Sequence, residues 1–167
     1  SASAAHTNSG TLDASGANLS LNQSGTSPSF TNTGTVTIGA GRTWTISGGT
    51  FTQQTGAVLN GGGALTVVSA TANFNTAFTL GALTLNSATA NFATNLSTAA
   101  LALTLSSATV NGPGTLTNAP GQTLALYYST ITTSLTNQGT VLVSTPSNVL
   151  SGAFTAAAGS LLHLEGN

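Results

Sequence analysis

The chain has 167 residues, 40% of them hydrophobic, no cysteine, and only three formally charged side chains: Asp13, Arg42 and Glu165. One cation cannot neutralise a run of phosphates, so nucleic acid is excluded as a partner, as is electrostatic attachment to an anionic bilayer. Ser, Thr, Asn or Gly breaks every apolar run well short of the roughly 20 residues a spanning helix needs, so no membrane insertion is expected; the hydrophobic content also argues against disorder.

Taken in chain order, residues 1–9 read as a flexible N-terminal segment and residues 10–167 as one domain. Leu19-Ser20-Leu21 opens the first recognisable strand, and Ser29-Phe30-Thr31 follows a corner that contains Pro28. An eight-residue pattern then recurs five times: Trp44-Thr-Ile-Ser-Gly-Gly-Thr-Phe51, Leu65-Thr-Val-Val-Ser-Ala-Thr-Ala72, Leu83-Thr-Leu-Asn-Ser-Ala-Thr-Ala90, Leu103-Thr-Leu-Ser-Ser-Ala-Thr-Val110 and Leu124-Ala-Leu-Tyr-Tyr-Ser-Thr-Ile131. The copies begin 21, 18, 20 and 21 residues apart, a period that marks a stacked, quasi-one-dimensional array.

Large apolar residues at positions one and three of each copy alternate with small polar ones, which is the period of a strand and not of a helix. The pattern returns in the same sense after ten to thirteen variable residues, whereas a hairpin would reverse it after a tight turn. Like stacked on like gives parallel strands. The predicted fold is therefore all-β, a single-stranded parallel β-helix (β-solenoid) with about 18–23 residues per coil and six to seven coils. Twenty residues at about 3.3 Å each make a circuit of roughly 60 Å, enough for two or three short strands and their corners.

A second strand begins at position seven, with Phe51, Ala72, Ala90, Val110 and Ile131 inward. Where that residue shrinks to Ala72 or Ala90, Phe74 or Phe92 appears two places on with the same parity and fills the same interior. The outward columns are Thr50, Thr71, Thr89, Thr109 and Thr130 and, two places on, Thr52, Asn73, Asn91, Asn111 and Thr132. A third strand is suggested by Val36 and Ile38, Val58, Phe78 and Leu80, and Leu116. Gly61-Gly62-Gly63 reads as a corner, since neither the Lys nor the helix of a phosphate loop follows it. Downstream, Val141-Leu142-Val143 leads to an irregular corner at Pro146, and Leu161 to Leu164 begins a last coil. Neither end carries a charged helix over its terminal ring. The array is therefore expected to continue a longer solenoid or to associate end to end.

No catalytic, cofactor-binding or metal site is expected. Asp13 and Glu165 belong to opposite ends of the rod, too far apart for an acid–base pair, and neither His6 nor His163 is placed to activate a hydroxyl in the middle coils. The Thr and Asn columns are the candidate binding face. The ordinary reading is that β-branched Thr suits an exposed strand and that like residues ladder along the stack. The sharper reading is a flat hydroxyl and methyl array for a repetitive surface such as ice or a polysaccharide. Thr50-Phe51-Thr52 and Thr130-Ile131-Thr132 resemble the Thr-x-Thr step of ice-binding solenoids, whereas Asn73, Asn91 and Asn111 replace the second Thr in the central coils. Tyr127 and Tyr128 share one corner, where one ring is expected to face outward and could stack on a sugar.

Runs such as Thr33-Gly-Thr-Val-Thr-Ile38, Gly114-Thr-Leu-Thr-Asn118 and Leu135-Thr-Asn-Gln-Gly-Thr-Val-Leu-Val143 resemble the degenerate repeats in β-solenoid passenger regions of bacterial autotransporters and haemagglutinin-type adhesins. The resemblance covers most of the chain. It implies a right-handed stalk, secreted or on the bacterial cell surface, that gives reach and rigidity and carries adhesive or self-associating surfaces. It implies no functional residues.

Overall fold

The computed structural model describes residues 4–144 and 147–165; the corner at Pro146 lies outside them. The strands form three faces of a solenoid, and their pairing is parallel. In chain order, face one holds eight strands: Ala5–Asn8, Ser29–Asn32, Thr50–Gln53, Thr71–Phe74, Thr89–Phe92, Thr109–Asn111, Thr130–Ile131 and Val149–Leu150. Face two is split into Thr11–Ala14, Thr35–Ile38 and Val58–Asn60, then Leu96–Ser97, Leu116–Asn118, Leu135–Asn137 and Phe154–Ala156. Face three is again eight strands: Leu19–Asn22, Thr43–Ser47, Ala64–Val68, Ala82–Asn86, Ala102–Ser106, Thr123–Tyr127, Thr140–Val143 and Leu161–Leu164.

Eight strands on two faces make about eight turns, more than the six to seven counted from the repeat. The outer turns keep the apolar pair at positions one and three, Leu19 and Leu21 beside Trp44 and Ile46 and Leu162 and Leu164 beside Val141 and Val143, but not the rest of the eight-residue pattern, so a count from the repeat falls short. One such turn begins in the segment 1–9 that the sequence marked as flexible: Ala5–Asn8 is a strand whose residues pair one for one with Ser29–Asn32. Backbone pairing there needs no apolar side chain. At about 4.8 Å per turn the rod is on the order of 35–40 Å long.

The repeat register holds in three dimensions. Trp44, Leu65 and Leu83 lie above one another on face three, as do Leu83 and Leu103, and all are buried. Ile46, Val67, Leu85, Leu105 and Leu126 make the second inner column. On face one, Phe51 and Ala72 are partners, and Phe74 takes the ring inward one step along. The Phe74 and Phe92 rings are stacked 5.0 Å apart with 7° between planes, and Phe51 meets Phe74 edge-on at 5.9 Å. The ring displaced at Ala72 and Ala90 thus returns to the same interior.

Face two departs from expectation in two places. Val58 is exposed and Leu59 is the inward residue of its strand, paired with the buried Val36 of the preceding turn. Phe78 and Leu80 do not sit in a strand; their segment makes a single bridge, Asn60 to Thr79. This is the shortest coil, with copies 18 residues apart, and the shortening removes the residues a full strand requires.

One corner device was not legible as such. The residue at position five of every copy has positive φ: Gly48 (72°), Ser69 (48°), Ser87 (50°), Ser107 (51°) and Tyr128 (50°). A single left-handed residue turns the chain from face three to face one in the last four copies, and the pair Gly48 and Gly49 (62°) does so in the first. The small residue at position six (Ala70, Ala88, Ala108, Ser129) then tucks into the corner. Left-handed backbone costs an L residue roughly 1–2 kcal/mol and glycine almost nothing. Tyr128→Gly is therefore expected to stabilise the chain by about 1 kcal/mol, read as a higher midpoint in a denaturant titration.

The interior also holds polar ladders. At the end of face one, the Asn8 side-chain amide donates to Asn32 Oδ1 (2.8 Å) and to Thr35 O (3.0 Å), and Asn32 donates to Gln53 Oε1 (2.8 Å) and Val58 O (3.1 Å). In the second half the ladder moves to the end of face two. Thr98 Oγ1 donates to Asn118 Oδ1 (3.2 Å), and Asn118 Nδ2 donates to Asn137 Oδ1 and Thr140 O, each at 2.9 Å. Each asparagine amide, Asn8, Asn32, Asn118 and Asn137, donates to the carbonyl of the first residue of a strand in the next turn. The changeover falls at the short coil, where Gln53 Nε2 is buried with no partner.

Candidate functional site

The outward columns of face one are in the predicted register. Thr50, Thr71, Thr89, Thr109 and Thr130 stack directly, and Thr52, Asn73, Asn91 and Asn111 stack beside them. The second column is tied along its length: Asn73 Nδ2 donates to Thr52 Oγ1 (3.5 Å), Asn91 to Asn73 Oδ1 (2.7 Å), Asn111 to Asn91 Oδ1 (3.0 Å), and Thr132 Oγ1 to Asn111 Oδ1 (2.6 Å). Much of the hydrogen-bonding capacity of these amides is therefore satisfied within the ladder. The first column differs, since no side-chain hydrogen bond ties Thr50, Thr71, Thr89, Thr109 or Thr130 to another described residue.

Face three carries a second threonine column that the sequence reading left out. Thr45, Thr66, Thr84 and Thr104 stack in register, flanked by Thr43, Ala64, Ala82 and Ala102. The signal was present at position two of the repeat, which is Thr in four of five copies. Its strands reach five residues, against four or fewer on face one, so this is the broader flat surface.

Both corner tyrosines are half exposed, Tyr127 at 50% and Tyr128 at 49%, where one outward ring was expected. Their rings meet edge-on, 4.7 Å apart at 90°. The positive φ of Tyr128 tilts its side chain out of the strand's alternation and brings the second ring to the surface.

A groove of about 280 Å³ opens on face two where that face is split. Phe78, Leu80, Phe92 and Leu101 supply apolar walls, and Thr94 and Ser97 stand at its rim. It follows from the short coil, which leaves the two parts of the face unpaired.

The titratable groups do not converge. Asp13 is fully exposed on the first turn, and hydrogen bonds from the Ser15 side chain and from the Ser15 N–H (2.8 Å) hold its pKa below the usual 3.8. Glu165 follows the last strand, and His6 and His163 are exposed on the first and last turns. Among the described residues no three His, Cys, Asp or Glu side chains group as metal ligands, and no helix is long and apolar enough to cross a membrane. The described residues hold no constellation for acid–base, nucleophilic or metal chemistry.

No protein-family model matches the chain, and neither a curated protein nor a solved structure matches it. The class established by the coordinates is thus a rigid, repetitive parallel β-solenoid module.

Proposed function

We propose that the chain is a non-enzymatic structural segment of an extracellular or bacterial cell-surface protein, of the stalk, fibre or adhesin kind that autotransporter passengers and haemagglutinin-type adhesins exemplify. The observation that carries this reading is the unbroken in-register stacking on faces one and three over about eight turns. A rod held by backbone hydrogen bonds between every pair of turns resists bending and extension at once. The absence of charged side chains from Thr43 to Leu164 supports a role in which the shaft is a spacer and its turns continue a longer solenoid or meet another copy end to end. Open parallel edges are ready to pair in that way.

Electron microscopy of the purified chain tests it. Straight rods of constant width, single or joined end to end, are expected; compact or flexible particles would overturn the reading.

A second reading is favoured by the unbonded hydroxyls of the Thr50–Thr130 column: a binding module for a polysaccharide or for ice. An ice-recrystallisation assay beside a neutral-glycan screen separates the two. The structural reading expects neither activity. Activity abolished by Thr71→Lys or Thr89→Lys, with the circular-dichroism spectrum unchanged, would transfer the function to face one.

A further inference from the structure

At the corner between faces three and one, positions four and five of the repeat hold Asn86 and Ser87, then Ser106 and Ser107, then Tyr127 and Tyr128 on successive turns. They stack in one register. Asn86 pairs with Ser106 and Ser106 with Tyr127, while Ser87 N donates to Ser106 O at 2.9 Å and Ser107 N to Tyr127 O at 2.8 Å. Position five is left-handed in all five copies, and only in the fifth does it carry a bulky side chain, Tyr128 at φ 50°. That backbone is costly for an aromatic residue, and half of the ring remains in water, so burial offsets only part of the cost. Strain kept at a surface position points to use rather than to stability. On the adjacent turn Ser107 is exposed and Ser106 half-buried, and no side-chain hydrogen bond ties either hydroxyl to another described residue.

We propose that this corner is a binding site for a neutral sugar, one pyranose of an oligosaccharide that lies along the corner column. A pyranose has an apolar C–H face and a rim of hydroxyls, and the corner offers a partner to each. The two phenol rings, 4.7 Å apart at 90°, set a floor and a wall against which the C–H face stacks. The Ser106 and Ser107 hydroxyls, one turn or about 4.8 Å away, donate to and accept from the rim, with Asn86 and Ser87 one turn further. No charged side chain occurs between Thr43 and Leu164, so an acidic sugar gains no counter-ion here and the ligand class is neutral. A protein partner would need a contact of about 800 Å² per side with an apolar centre, whereas the preceding turns of this corner present Ser and Asn. The site gives the shaft one point of adhesion. It is separate from the Thr50–Thr130 column and stands whether the shaft itself is a spacer or a binding face.

The test titrates the whole chain with four neutral trisaccharides, cellotriose, maltotriose, xylotriose and chitotriose, and follows the protein signals by NMR. Saturable shifts of the Tyr127 and Tyr128 ring protons are expected with at least one of them. Tyr127→Ala is expected to weaken that binding at least tenfold, and Tyr127→Phe, which keeps the ring, to hold it within threefold. Tyr128→Gly is expected to weaken binding at least tenfold while the denaturation midpoint rises, an opposition that a merely structural tyrosine would not produce. Three results would overturn the proposal: no saturable shift with any of the four sugars, binding unchanged in Tyr128→Gly, or sugar-induced shifts confined to Thr71 and Thr89, which would place the sugar on face one instead.

Discussion

Phe74→Ala is expected to destabilise the chain by about 3–5 kcal/mol, the range for removing a buried aromatic ring. Phe74 is fully buried and its ring meets three others, Phe51, Phe78 and Phe92, at centroid distances of 5.9, 4.8 and 5.0 Å. Collapse cannot fill the cavity, because the neighbouring inward residue, Ala72, is already small and the sheets on either side are held by pairing above and below. Chemical denaturation should show the loss as a lower midpoint. In a linear array the damage is local, so the transition is also expected to broaden or split as the two halves uncouple. The register offers a sharper control. Moving the ring back, in Ala72→Phe with Phe74→Ala, recreates the arrangement around Phe51 and should recover more than half of the loss. No recovery would mean that the two inward positions do not share one interior.

The second large effect lies in the inner amide ladder. Asn118→Leu, close to Asn in size, should cost about 3 kcal/mol. Asn118 is fully buried, accepts from Thr98 and donates to Asn137 and to the Thr140 carbonyl; the substitution takes the acceptor from the Thr98 hydroxyl and the amide donor from the Thr140 carbonyl, and leaves Asn137 Oδ1 with the Gly139 N–H alone. Each orphaned group costs about 1–3 kcal/mol, partly relieved by relaxation. The outer ladder provides the comparison. Asn91→Ala removes bonds to Asn73 (2.7 Å) and Asn111 (3.0 Å) of comparable length, yet these groups are only half-buried and water replaces the lost partner, so a cost under about 1 kcal/mol is expected. Equal costs at Asn118 and Asn91 would contradict the burial argument.

The inner ladder illustrates what a pattern of apolar residues conceals. Thr-Asn-x-Gly occurs at residues 7–10, 31–34 and 136–139, and its Asn is buried each time or half-buried at the first turn. Read by hydrophobicity, such a stretch is a polar corner. Its burial follows from the geometry of stacking: a corner carbonyl covered by the next turn needs a donor that water cannot supply, and Asn is short enough to reach it. The outer Thr and Asn columns were readable because they repeat at one position of the pattern, and the face-three threonines could have been read in the same way. The unbonded state of one Thr column, against the tied state of its neighbour, was not readable, since it depends on side-chain rotamers set across turns 18 to 21 residues apart.

By itself the sequence determined the class of fold, the parallel sense, the inward columns and the substitution of Phe74 and Phe92 for Phe51. Each of these follows from one local rule, alternation within a strand, copied at a near-constant period. The tertiary structure decided the number of turns, the strand at Ala5–Asn8, the left-handed corners, the polar ladders and the split of face two. These depend on which backbone groups meet when one turn lies on the next. A turn three residues shorter than its predecessor breaks that meeting on one face while the other two carry on unbroken.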